Sequence, residues 1–140
     1  LAGLGGPNFV ETMLRLGAER EALSIVNDQI GSPTFCFDVV PVTEQLAYSG
    51  QFGTYHVTGN GPATWHDFAV EIFRQARLNQ MDLAIEDIST ISTEEYAQAA
   101  QRPSNSYLRN LMTALVLGAD PMPDWRESLE HYIGERSAKA

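Results

Sequence analysis

Few side chains in this sequence are spaced for chemistry. His56, His66 and His131 stand far apart, and no His-x-x-x-His or Cys-x-x-Cys pair exists to hold zinc. Glu94 and Glu95 are neighbours. On a helix they would point in different directions, which suits capping and dipole roles better than an acid–base pair. Cys36 is the single cysteine, flanked by Phe35 and Phe37, and reads as a buried inert thiol. There is no Gly-x-Ser-x-Gly elbow and no glycine-rich dinucleotide or phosphate loop. No Tyr-x-x-x-Lys pair occurs either, because Lys139 is the only lysine and position 135 is Glu.

With one lysine, contacts to phosphate or carboxylate fall to arginine. Arg102 lies in a polar stretch with Asn105 and Ser106, all able to donate hydrogen bonds. Its planar fork matches phosphate oxygens, and the same residue in a loop also fits a plain pair with a surface carboxylate. Asn8 stands at a helix start after a glycine-rich run, a place that suits an anion or a simple cap. The octet 27–34 (Asn-Asp-Gln-Ile-Gly-Ser-Pro-Thr) concentrates turn signals. Asn27 and Asp28 can bond back to nearby backbone, Gly31 permits positive φ, and Pro33 pushes Ser32 out of the helical region. Such a loop is either a shaped binding segment or an ordinary connection.

The elements that position these groups follow from composition and period. The chain has 140 residues, 44% hydrophobic and 19% charged, enough for one domain, 1–140, with its own core. Acidic residues outnumber basic ones 18 to 9, for a formal charge of −9. No basic stripe forms, so neither a nucleic-acid groove nor an anionic membrane surface is an expected partner. No apolar run reaches the ~18 residues of a membrane span, and residues 1–6 carry no charged signal-peptide region. A lone cysteine fits a cytoplasmic setting.

Asn8, with Glu11 three residues on, predicts a helix over 9–20 carried by Phe9, Val10, Met13, Leu14 and Leu16. A short strand over 23–26 feeds the octet. Asp38 is read as the cap of a helix over 39–48, with Pro41 in its first turn. Residues 54–58 read as a buried strand. Thr64 caps the clearest helix, 65–78, with Trp65, Phe68, Ala69, Ile72, Phe73 and Ala76 on one stripe. A strand over 83–85, a capping-box helix from Ser92 through Ala100, an Asn110-capped helix over 111–117 stopping at Gly118, and an Asp124-capped final helix complete the pattern. Residues 136–140 are expected to fray as a disordered tail.

Six segments then occur in a telling order. They are Asn8-Phe9-Val10-x-Thr12-Met13-Leu14-Arg15-Leu16, Val26-x-Asp28-Gln29-Ile30-Gly31-Ser32-Pro33-Thr34 and Tyr55-His56-Val57-Thr58-Gly59. Trp65-His66-Asp67-Phe68-Ala69, Arg102-Pro103-x-Asn105-Ser106 and Pro123-Asp124-Trp125-Arg126-Glu127 follow. Together they resemble the C-terminal half of the dTDP-4-dehydrorhamnose reductases, extended short-chain dehydrogenase/reductases, over nearly all of residues 4–134.

The resemblance implies an α/β fold class: a mostly helical substrate-binding part with a few short strands, the Rossmann half missing. It implies a longer enzyme whose N-terminal Rossmann half binds NADPH and carries the Tyr-x-x-x-Lys pair. That enzyme reduces dTDP-4-dehydro-L-rhamnose to dTDP-L-rhamnose for cell-surface polysaccharide. This chain would supply substrate contacts and no catalytic residue. Asn8 would face the sugar or pyrophosphate, Gln29 would line the sugar-nucleotide pocket, and Arg102 would approach the diphosphate. Phe35-Cys36-Phe37 departs from the small polar or charged residues usual after Ser-Pro-Thr. With no glutamate between Phe35 and Pro41, no metal-bridged dimer contact is expected. The expected partners are a dTDP-sugar and either the chain's own Rossmann half or a second copy. A non-catalytic regulatory or nucleotide-sugar-binding subunit of the same fold is the alternative.

Overall fold

The structure is a computed structural model that describes residues 1–3, 5–96 and 102–138. Five helices and four short strands run in the order α1 (Phe9–Glu19), β1 (Ala22–Val26), β2 (Ile30–Gly31), α2 (Cys36–Tyr48), β3 (Ala63–Thr64), α3 (Trp65–Leu78), β4 (Asp87–Ile91), α4 (Leu111–Leu117) and α5 (Trp125–Ser137). β1 pairs in parallel with β4, and β2 pairs antiparallel with β3.

α3 is the axis of the main core. Ala69, Ile72, Phe73 and Ala76 are completely buried against α1, α5 and β1. Each large side chain buried this way contributes about 1.5–3 kcal/mol of transfer free energy. The helix begins where the sequence says it should. Thr64 Oγ1 accepts from the Asp67 backbone N–H, and the Asp67 carboxylate accepts from the Thr64 N–H. Gly17 lets α1 cross α3 closely, since a Cβ there would lie 2.5 Å from Phe73 Cε1. A smaller cluster joins Val42 and Leu46 of α2 to Met122, with Tyr55, Val57, Val116 and Leu117 around it.

Several boundaries differ from the sequence reading. α2 begins at Cys36 rather than 39. Phe35 takes the cap position without a side-chain bond, and Asp38 falls inside the first turn. Residues 54–58 join no sheet. Their polar backbone is met by side chains instead: Thr58 is bonded by Asn110, and the His56 carbonyl accepts from Thr113 Oγ1. Asn110 therefore makes no side-chain cap for α4. The strand expected at 83–85 forms later, at Asp87–Ile91, because the N–H groups of Ala84 and Ile85 both donate to the Gly17 carbonyl. Ser92 and Glu95 make the expected reciprocal capping bonds around a turn, and the continuation over 97–100 lies outside the described residues. The last helix continues to Ser137, past the expected start of the tail, because Arg136 bonds both oxygens of Glu11. Residues 139–140 lie outside the described residues.

Candidate functional site

The octet is the seam of the fold. Ile30 and Gly31 pair with Thr64 and Ala63 on one side. On the other, the Ile30 N–H donates to the Ser104 carbonyl at 2.8 Å, and the Ser106 N–H donates back to the Ile30 carbonyl at 2.8 Å. The Arg-Pro loop is thus stitched to the octet across more than seventy residues of sequence. Thr34 closes the third side: its carbonyl accepts from the Ala2 N–H, and its hydroxyl accepts from the Gly59 N–H.

These connections enclose a cleft of about 420 Å³. One wall is aromatic, with Phe9, Trp65 and Phe68; the rim opposite in kind carries Arg102, Pro103 and Ser106. Phe9 and Trp65 lie with ring centroids 4.7 Å apart, and Phe9 stacks on Phe68 at 5.5 Å. Arg102 is exposed; among the described residues it is the only charged side chain lining the cleft, and it makes no ion pair with any of them.

Gln29 lines the cleft but is 92% enclosed, being 8% exposed. Its carboxamide is engaged at both ends. Oε1 accepts from the Trp65 indole N–H at 3.2 Å, and Nε2 donates to Thr93 Oγ1 at 3.0 Å. Thr93 in turn donates through its N–H and hydroxyl to the Asp28 carboxylate, and these bonds hold the Asp28 carboxyl below its usual range. Asn8 does not reach the cleft lining. Its Oδ1 accepts from the Glu11 N–H, and its Nδ2 donates to the Gly3 carbonyl, the Gly6 carbonyl and the Tyr132 hydroxyl. It caps α1 and so fixes Phe9, the first helical residue, in the aromatic wall.

The structure therefore brings Gln29 and Arg102 together and leaves Asn8 behind the wall. The sequence reading missed Trp65 and Phe9 as cleft residues, because both sit on stripes that read as core. It also missed Ser32, a lining residue whose buried Oγ has no hydrogen-bond partner among the described residues. Among the described residues no group of three or more His, Cys, Asp or Glu could hold a metal ion.

A family model described as the RmlD substrate binding domain matches residues 1–137. The chain belongs to this family. The chain is 38% identical over 136 residues to the spore coat polysaccharide biosynthesis protein SpsK of Bacillus subtilis, covering 97% of this chain and 45% of that protein. It is 36% identical over 132 residues to the dTDP-4-dehydrorhamnose reductase of Aggregatibacter actinomycetemcomitans, covering 90% of this chain and 45% of that one. Among solved structures it is similar to the Bacillus anthracis dTDP-4-dehydrorhamnose reductase in complex with NADP, at 40% identity and a TM-score of 0.85, covering 96% of this chain and 45% of that one. The Clostridium acetobutylicum dTDP-4-dehydrorhamnose reductase gives 36% identity and a TM-score of 0.85, covering 94% of this chain and 45% of that one. The chain thus spans a little under half the length of the relatives it matches. The α/β, mostly helical fold class agrees with these likenesses.

Proposed function

We propose that this domain is the substrate side of an NADPH-dependent reductase that converts dTDP-4-dehydro-L-rhamnose to dTDP-L-rhamnose. The observation that carries the reading is the convergence of two loops, 27–34 and 102–106, on one cleft that joins an aromatic wall to an arginine with no ion pair among the described residues. A nucleoside diphosphate sugar has the matching halves, a planar base and a dianionic bridge. Arg102 approaches the diphosphate, Gln29 forms the adjoining wall, and Asn8 acts one step back by capping α1 beneath Phe9. Ser106 lines the edge of the same space, its hydroxyl donating to the Ile30 carbonyl.

The residues of this chain do not themselves form a dinucleotide site. The sequence has no glycine-rich strand-to-helix loop and no Tyr-x-x-x-Lys pair. Nicotinamide chemistry belongs to a Rossmann half of the longer protein, and no proton or hydride step is assigned to a residue here. This domain binds, orients and covers the sugar nucleotide. Its proposed partners are that Rossmann half or a second copy, in the cytoplasm. Exposed Leu111, Met112 and Leu115 on α4 leave apolar surface that fits such contacts.

Calorimetric titration of the chain with dTDP tests the reading. Saturable one-site binding, with no NADPH oxidation when dTDP-4-dehydro-L-rhamnose is added, is the expected result. Measurable turnover by the chain alone would refute its purely substrate-side role. Binding of dTDP together with an upstream half lacking Tyr-x-x-x-Lys would favour a non-catalytic subunit.

A further inference from the structure

We infer that Trp65 is the base-stacking residue of this cleft, and that Gln29 is a positioning residue which holds the Trp65 indole in place. The inference rests on the nucleoside-diphosphate reading above and assigns its base subsite. Trp65 is the first residue of α3 and remains 36% exposed, although its neighbours on the stripe are buried. One side of the ring is backed by Phe9, at a centroid distance of 4.7 Å. The indole's single donor is already spent on Gln29 Oε1. What Trp65 offers to a ligand is therefore its π face and edge.

That face suits a planar ring. Phe9 packs against the ring, and Phe68 and Ala63 line the same cleft; none of the three offers a side-chain donor or acceptor. A hexose placed there would lose water from its hydroxyls without replacement, which is costly. A nucleobase stacks on an aromatic side chain without needing such partners. Arg102, on the separate Arg-Pro loop, is the charged side chain of the cleft among the described residues and suits the diphosphate.

Gln29 does not reach for the ligand, because both ends of its carboxamide are engaged. It completes a chain from Asp28 through Thr93 and Gln29 to the indole N–H. That chain is anchored at a β1-proximal loop and at the turn after β4, two segments joined by the parallel β1–β4 pairing. The orientation of Trp65 is thereby coupled to the packed part of the fold rather than left to an exposed rotamer.

The test compares dTDP with inorganic pyrophosphate by calorimetry on the wild-type chain and its variants. Trp65→Ala is expected to weaken dTDP about tenfold, within the range for loss of one stacked base, and to leave pyrophosphate unchanged. Trp65→Phe, which keeps an aromatic face and the same helix start, is expected to retain most dTDP affinity and guards against misfolding of the alanine variant. Gln29→Leu is expected to weaken dTDP severalfold without affecting pyrophosphate. It should also raise acrylamide quenching of the exposed indole, while the buried Trp125 stays protected. Equal dTDP affinity in wild type and folded Trp65→Ala would overturn the stacking assignment while leaving the cleft reading intact. A parallel loss of dTDP and pyrophosphate would also overturn it. Absence of dTDP binding by the wild-type chain would overturn both.

Discussion

Asn110 pairs with Thr58 through both ends of its carboxamide. Oδ1 accepts from the Thr58 N–H at 2.9 Å, and Nδ2 donates to the Thr58 carbonyl at 2.8 Å. One side chain thus does for Thr58 what a neighbouring strand would do, as Thr113 does for the His56 carbonyl. It also ties α4 to the segment that leads to Gly59, which closes the cleft wall. Asn110 is 3% exposed, so its loss leaves backbone groups without water. Asn110→Ala is expected to destabilise the domain by about 2–3 kcal/mol. Asn110→Asp should cost more, since Nδ2 also donates toward the Asp120 carboxylate and a second carboxylate would face it. Urea unfolding of both variants checks the size and the order.

Gly59 is a point where two backbones meet. A Cβ there would lie 2.2 Å from the Pro33 carbonyl oxygen, an atom of the main chain that cannot rotate away. Gly59→Ala is expected to cost about 1–3 kcal/mol through forced backbone shifts. The shift falls on the Pro33–Thr34 wall, so dTDP affinity should drop along with stability. A variant of unchanged midpoint and unchanged affinity would show that the two loops are not in contact.

The capping carboxylate of α3 makes stability depend on acid pH. Bonds from Thr64 hold the Asp67 carboxyl below its ordinary value of 3.8. The folded state therefore binds this proton less readily than the unfolded chain. The resulting stabilisation is present above 3.8 and is lost as the pH falls through the lower folded value. Asp67→Asn should give a shallower loss of stability on the acid side, measured by denaturant midpoints across the pH series.

Tyr132 acts at the opposite end of the scale. Burial pushes its hydroxyl above the ordinary value of 10.0, and the adjacent Glu11 carboxylate adds to the effect. The folded state holds this proton more tightly, so its contribution is complete below 10.0 and is lost as the pH rises through the higher folded value. Tyr132→Phe should flatten the alkaline limb. It should also cost about 1–2 kcal/mol at neutral pH, because the hydroxyl bonds Glu11 and Asn8.

Arg102 is exposed, so its replacement should spare the fold and touch binding alone. Arg102→Ala is expected to weaken dTDP about tenfold, the scale of a lost charge-assisted bond. Arg102→Lys should recover only part of that, since it keeps the charge but not the fork. Calorimetry at two salt concentrations should show a shallower salt dependence for the alanine variant.

Much of this domain was legible from residue order. The period of 65–78 and the Thr64–Asp67 spacing specify α3, its cap and its buried stripe, because a helix is a local object with a fixed repeat. Asn8, Asp124 and Gly118 mark helix ends for the same reason, and Gly118 adopts the positive φ of 83° that a left-handed C-cap requires. The six ordered motifs pointed to the family. Gln29 and Arg102 stand out on separate segments of the sequence, and both lie in the lining of one cleft.

The tertiary structure decided the rest. Residues 54–58 have strand-like composition, yet a strand exists only if a partner strand is near, and here the partners are the Asn110 and Thr113 side chains. Trp65 reads as core at helical spacing, and only the packing of Phe9 and Gln29 against it shows that its face borders a cleft. Asn8 and Gln29 are both polar loop residues in sequence; their hydrogen-bond partners lie up to 124 residues away. Local order sets periods, caps and turns because those interactions span a few residues. Which polar groups are spent within the fold, and which remain for a ligand, depends on contacts between distant segments, and that division exists only once the chain has closed.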